Sequence, residues 1–291
     1  MARAASSVVA PFVVPPSWVE PAQSANPYRI GINYVKGAPS AEVQNLITIS
    51  KLFLETILVR SHGRRSKSIS MVFDMMVDIE LKALSAGILA SARPTMADVA
   101  VTPAVPLRQS IVLNSNALNT NSLLSMVQFN NTAAPKLIPV MIHEMLHGLG
   151  IASINTPYKN VGWNQFLDST RTWYVGPNGD ASKSSAVQAY REVVGGSVQR
   201  IPVENSFGSG TSYSHWEEGL KEGFVKEPRY HAYGGGNVFH PALPEEIMTG
   251  VAGSRFYFTM LTAGALEDHR YAVNRNSVNI VPYPASLIQK P

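Results

Sequence analysis

Two histidines four residues apart, with a glutamate beside the first, form the most chemically suggestive segment of this 291-residue chain: His143-Glu144-Met145-Leu146-His147. On a helix, positions i and i+4 lie one turn apart on the same face. Both imidazoles can therefore reach one ion while the Glu144 carboxylate stands alongside it. Zinc held in this way lowers the pKa of a bound water to about 7 and polarises a carbonyl oxygen. A neighbouring carboxylate can take the proton of that water and pass it to a leaving amine. The plainer alternative is a pair of helix-face histidines next to a surface glutamate. It fits poorly, because the segment Leu137–Leu149 is strongly apolar, and three unpaired polar groups are costly in such surroundings.

Catalytic zinc takes three protein ligands plus water, so a third must come from farther along. The chain has no cysteine, which excludes thiolate ligands, a cysteine nucleophile and a disulfide scaffold. The downstream candidates are Asp168, Glu192, His215, His231 and His240. Gly150 fits a chain that turns sharply beneath the metal better than one leading into a second ligand helix, which disfavours Asp168 and Glu192. His231 and His240 flank the Gly234–Gly236 run, a poor setting for a preorganised ligand. His215 stands at a suitable distance from Gly150, and the other four remain open at this level.

The elements that must hold these residues read as mixed α/β. Pro139 suits the first turn of a helix and Gly150 its left-handed stop, so the motif lies on a helix over about 137–149. Val43, Leu46, Ile47, Phe53, Leu54, Ile57 and Leu58 recur at helical spacing within 41–60. Strand patterns cover 28–35, 69–81, 86–90 and Ser110–Asn114, with a polar Asn/Ser/Thr-rich stretch leading on to Pro135. Beyond 150 the chain is rich in Gly, Pro, Asn and Tyr. Loops are expected there, with short helices near Ser184–Val194 and Thr259–Asp268. The expected organisation is an arm or linker over 1–28, a subdomain with sheet and motif helix over 29–150, and a loop-rich subdomain over 151–291.

With these residues in view, the chain resembles the leishmanolysin-type metzincins. The resemblance rests on His-Glu-x-x-His-x-x-Gly at 143–150, then Ser214-His215-Trp216-Glu217, then Glu246-Ile247-Met248-Thr249-Gly250. Short metzincins carry a third His three positions after the glycine, where this chain has Ser153. The leishmanolysin type delays that His by a long insertion, and here residues 151–214 intervene before His215. The segments Leu261–Asp268 and Tyr271–Asn274 are similar to the family's closing helix and turn. The resemblance implies an α/β metzincin fold with a twisted mixed sheet and an active cleft between two subdomains. It implies Zn2+ held by His143, His147 and His215, Glu144 as general base and then acid, and Met248 in the Met-turn beneath the metal. It also implies peptide-bond hydrolysis, with a protein or peptide substrate paired to the strand carrying Ile111, Val112 and Leu113. Family members often carry a cysteine-bearing propeptide, so any latency here works by other means. The rival expectation is a non-catalytic structural or binding protein that keeps a metzincin-like fold; Glu144 argues against it, since a metal scaffold has no need of that carboxylate.

Composition sets the outer bounds. Hydrophobic residues are 45% and charged residues 15% of the chain, enough apolar side chain for a sizeable core. No apolar run reaches the roughly 18 residues of a membrane span. The net charge is only +4, and the one tight basic cluster, Arg60, His62, Arg64, Arg65 and Lys67, reads as a solvated turn after a helix, so no nucleic-acid partner is expected. Pro11, Pro15 and Pro16 interrupt the opening residues, which make a poor signal peptide; secretion or surface association is implied by the resemblance alone. Trp216 is expected in packing, and His62 and His269 as surface or structural histidines. Asn130-Asn131-Thr132 is an N-glycosylation sequon, and Pro177-Asn178-Gly179-Asp180 is a turn signal rather than a calcium site.

Overall fold

The computed structural model describes residues 12–20, 27–59, 73–101, 104–151, 162–195, 198–204, 211–218, 241–250 and 252–288. The basic cluster at 60–67 and the candidates His231 and His240 lie outside these residues. The first half supplies β1 (Ile30–Tyr34), α1 (Ala41–Ile57), β2 (Leu58–Val59), β3 (Met75–Lys82), β4 (Ala90–Asp98) and β5 (Val105–Asn114). It continues through α2 (Ser115–Asn119), β6 (Met126–Phe129), β7 (Thr132–Pro135) and α3 (Leu137–Gly148). The second half contributes β8 (Trp173–Tyr174), α4 (Ser185–Val194), β9 (Ile201–Pro202), β10 (Arg255–Phe256), α5 (Met260–Asp268) and β11 (Ala272–Val273). The class is mixed α/β, with several sheets and five α-helices among the described residues.

The main sheet has the order β1-β3-β5-β4, with β1, β3 and β5 parallel and β4 antiparallel to β5. Along β5 the alternation required by a pleated strand is plain: Leu107, Gln109, Ile111 and Leu113 are buried, while Arg108 is exposed and Ser110 and Val112 are half-buried. α3 packs against β4 and β5 and against α1. The opposite face is polar, with the Arg108 guanidinium and the Asn33 amide both donating to Asp78.

One expectation is corrected here. Ile111, Val112 and Leu113 do not form an edge available to a substrate. Ile111 pairs with Ile79 and Ala92, Val112 with Glu80 and Ser91, and Leu113 with Leu81 and Ala90. Both sides of β5 are consumed by ladder bonds, and the strand is interior. The sheet edge on this side is β4, which carries Pro94 and a register shift between Pro94 and Met96, both features of edge strands. The run at 86–90 is turn and irregular chain up to Leu89, and β4 begins only at Ala90.

Local chemistry accounts for the helices. The Ser40 hydroxyl accepts from the Val43 N–H at the start of α1, and Val43, Leu46, Ile47, Phe53, Leu54 and Ile57 bury one face of it. α4 and α5 cross at Gly264, where an added Cβ would lie 2.7 Å from the Ala186 backbone nitrogen. Asp268 then caps α4, accepting from the Ser184 hydroxyl at 2.6 Å and the Ser185 N–H at 2.7 Å. The β6–β7 hairpin went unread in the polar stretch before Pro135. Its two-residue loop is Asn130-Asn131, both at positive φ (47° and 63°), the geometry that a tight hairpin with right-handed twist demands. The Asn130 amide donates to Asn279 O and accepts from Phe258 N–H, so the sequon's acceptor nitrogen is already used inside the fold.

A single core crosses residue 150. β10 pairs with β6 and β11 with β2, and buried residues from Trp18 to Tyr283 form one cluster. Of the expected arm, residues 12–20 are closed onto the body. Trp18 is 3% exposed, its ring centroid 5.8 Å from that of Phe53 and 5.1 Å from that of Phe129, and Asn279 donates to Ser17 O. Trp18→Ala is expected to cost about 3–5 kcal/mol, read as a lowered denaturant midpoint; a loss under about 1 kcal/mol would show that the segment is not part of the core.

Candidate metal centre

α3 is apolar nearly all round, which makes it a buried helix. Pro139 sits in its first turn. The helix stops as its sequence requires: Gly150 has φ 109°, its N–H bonds His147 O, and the Ile151 N–H bonds Leu146 O. This pair of bonds around a left-handed glycine is a Schellman stop. It also turns the Ile151 carbonyl back onto the helix, where it accepts from His147 Nδ1 at 2.7 Å.

His215 arrives from the other half of the chain on a backbone held on both sides. Glu204 N–H bonds His215 O, and Trp216 N–H bonds Met248 O. Trp216 pairs with Val203 on one flank and Thr249 on the other. Its ring is fully buried, with centroids 4.6 Å from Trp163 and 5.3 Å from Tyr174. Trp216 is therefore packing, as expected. The 246–249 segment is a tight turn closed by Thr249 N–H to Glu246 O at 3.1 Å. Met248 is fully buried within it. Gly250 follows; a Cβ there would lie 2.0 Å from Thr211 Cγ2 and 3.5 Å from His215 Cγ, so only glycine lets the turn pass behind the ligand segment.

Three imidazoles meet between these elements. His215 Nε2 lies 3.1 Å from His147 Nε2 and 3.2 Å from His143 Nε2. Each ring is fixed from behind by a main-chain carbonyl: His143 Nδ1 by Ile247 O at 2.7 Å, His147 Nδ1 by Ile151 O at 2.7 Å, and His215 Nδ1 by Thr211 O at 2.8 Å. A carbonyl only accepts, so each Nδ1 carries the proton and each Nε2 presents a lone pair. The short Nε2 contacts are then not hydrogen bonds but three lone pairs aimed at one point. Nitrogens about 2.05 Å from a tetrahedral ion are separated by about 3.3 Å, close to the spacing here. The donor set fits one divalent cation, and these three are the only such group of His, Asp or Glu among the described residues.

The surroundings suit neutral imidazoles. Burial pushes His143 down to about 4 and His215 to about 3, and holds His147 well below the usual histidine range. Glu144 is 6% exposed, and its Oε2 has no hydrogen-bond partner among the described residues. Burial pushes its carboxyl up to about 8; a cation at the three nitrogens favours the ionised form instead. The other described candidates lie elsewhere. Asp168 accepts from the Thr170 hydroxyl at 2.8 Å, and Glu192 lies on α4 beside Arg275. His269 is buried, with its Nδ1 on Ala265 O and its ring edge against Phe166, a structural residue as expected.

The sequence reading missed the supports. The carbonyls of Ile151, Thr211 and Ile247 carry no residue signature. Glu246 stood in the sequence only as a neighbour of Met248. Its fully buried carboxylate accepts from Met248 N–H at 2.7 Å, the Thr262 hydroxyl at 2.7 Å and the Thr259 hydroxyl at 3.1 Å. Burial pushes this carboxyl up to about 7 against the pull of those donors. Gln109 on β5 is also fully buried, directly under Gly148, where an added Cβ would lie 1.7 Å from Gln109 Oε1. Gly148→Ala gains up to about 1 kcal/mol of helix propensity but forces an overpacking cost of about 1–3 kcal/mol. The expected net result is a lower melting temperature; a raised one would show that Gln109 gives way freely.

A scan against protein-family models finds no match to this chain, and a search of the curated proteins finds none either.

Proposed function

We propose that this protein is a zinc-dependent endopeptidase of metzincin type, with His143, His147 and His215 as ligands. The observation that carries the reading is the set of three carbonyl-anchored imidazoles, with the buried Glu144 following His143 on the same helix. Three neutral histidines leaving a fourth position free is the donor set of catalytic zinc. The resemblance to leishmanolysin-type enzymes and the turn at Met248 support the same reading, with Met248 as the Met-turn methionine.

A zinc ion at this site supplies Lewis acidity towards a scissile carbonyl and acidifies a water. The chain's own residues do the remainder. Glu144 accepts a proton from the attacking water and delivers it to the leaving amide nitrogen, so that one water is added across one peptide bond. The carbonyls of Ile151, Thr211 and Ile247 keep each ring in the Nδ1–H tautomer throughout. β4, whose outer edge has no strand partner among the described residues, offers main-chain groups to an extended peptide, with Ser91, Arg93 and Met96 exposed along it. Recognition through backbone bonds makes few demands on substrate side chains.

Elemental analysis of the purified protein is expected to give about one zinc per chain, and casein hydrolysis is expected to vanish with a chelator and return with zinc. A protein without zinc after refolding in its presence sinks the reading. Zinc uptake without any casein hydrolysis favours the non-catalytic alternative.

A further inference from the structure

We infer that Glu246 is a positioning residue of the metal centre, holding the turn whose Ile247 carbonyl fixes the ring of His143. This rests on the metal reading of the three histidines.

Glu246 is an acceptor in a place that needs one. The Thr262 hydroxyl oxygen already accepts from Trp216 Nε1 at 3.3 Å, and the Thr259 oxygen from Leu261 N–H at 3.2 Å. Both hydroxyl protons are thereby free to point at Glu246, and the Met248 N–H completes the set. Three donors converge on an acceptor-only carboxylate, with no cation paired to it among the described residues. Glu246, Thr262 and Trp216 are fully buried and Thr259 nearly so. A buried carboxylate without a counter-charge is costly, and an amide or apolar residue would hold an ordinary turn. The carboxylate instead ties three things together: the turn, the start of α5 through Thr259 and Thr262, and, through Trp216, the backbone adjacent to His215. Within that turn Ile247 N–H bonds Tyr257 O, and Ile247 O bonds His143 Nδ1. Two of the three imidazoles therefore depend on where Glu246 holds the chain.

Glu246→Gln is the direct test, because the amide places two further donors among donors and leaves one accepting oxygen. Metal-free protein is titrated with Co2+, following the visible absorption of the bound ion, and melting of the metal-free form is recorded alongside. Glu246→Gln is expected to weaken Co2+ affinity about tenfold or more and to alter the absorption bands. Thr262→Val, which removes one donor and keeps the charge, is expected to weaken affinity less while shifting the same bands. In the metal-free wild type, 15N resonances of His143 are expected to show the proton on Nδ1, and in Glu246→Gln a mixture of tautomers. Wild-type Co2+ affinity, spectrum and tautomer in the variants, whatever their melting temperatures, would overturn the inference by leaving Glu246 a purely structural role. If Glu246→Gln does not fold, Thr262→Val decides by the same criteria. A wild-type chain that takes up no Co2+ overturns the metal reading itself, and this inference with it.

Discussion

Replacing Glu144 by Gln is expected to leave metal content at the wild-type level and to lower peptide hydrolysis by at least about 10²-fold, the lower end of what a positioned general base contributes. Glu144 follows His143 on α3 but is not among the carbonyl-anchored set, and its buried Oε2 has no hydrogen-bond partner among the described residues. The amide preserves volume and cannot accept the proton of an attacking water. The fold should also tolerate it, since burying a neutral amide is easier than burying a carboxylate. Metal analysis and casein turnover on the same sample separate the outcomes. Near wild-type turnover would remove Glu144 from the mechanism. Loss of metal together with activity would give it a structural role instead.

His215→Ala carries the second large effect, a weakening of zinc binding by at least about tenfold. His143 and His147 alone, one helical turn apart, form a two-point site without closure. His215 supplies the ligand from outside the helix, and its neighbours are fixed independently of its ring by the Val203 and Thr249 pairings of Trp216. The variant should therefore fold and bind metal poorly. Asp168→Ala and Glu192→Ala serve as controls and should bind zinc as the wild type does. Competitive titration against a chromophoric chelator reads all three. Normal binding by His215→Ala would dissolve the three-histidine centre.

Features carried by local residue chemistry were legible from the sequence. The i, i+4 spacing, Pro139 and Gly150 define α3 to within about a residue, because helix starts and stops depend on side chains a few positions apart. α1 was legible from its apolar spacing, and short helices were expected where α4 and α5 lie; the structure adds the caps Ser40, Ser184 and Thr259. His215 was legible only through its neighbours and the resemblance, since its approach to α3 is made by pairings 203–216 and 216–249 that no local pattern announces. Strand order was the clearest failure. Ile111–Leu113 read equally well as an edge or an interior strand, because period-two alternation reports which face is buried and is silent about which neighbour lies alongside. The carbonyl anchors were invisible for a simpler reason: every residue has a carbonyl, and only the finished chain path selects Ile151, Thr211 and Ile247.

That selection has a consequence for biosynthesis. The anchors lie at 151, 211 and 247, and the third imidazole lies 68 positions beyond His147. A chain emerging from the ribosome displays His143, Glu144 and His147 long before His215 exists, and Ile247 later still. Through that interval it holds the Glu144 carboxylate and two unconstrained imidazoles, a weak trap for metal. Closure of such distant contacts comes late in folding, so the three-histidine centre and the completed core arrive together. On the proposed protease reading, a growing chain would not cut itself or its neighbours before that point.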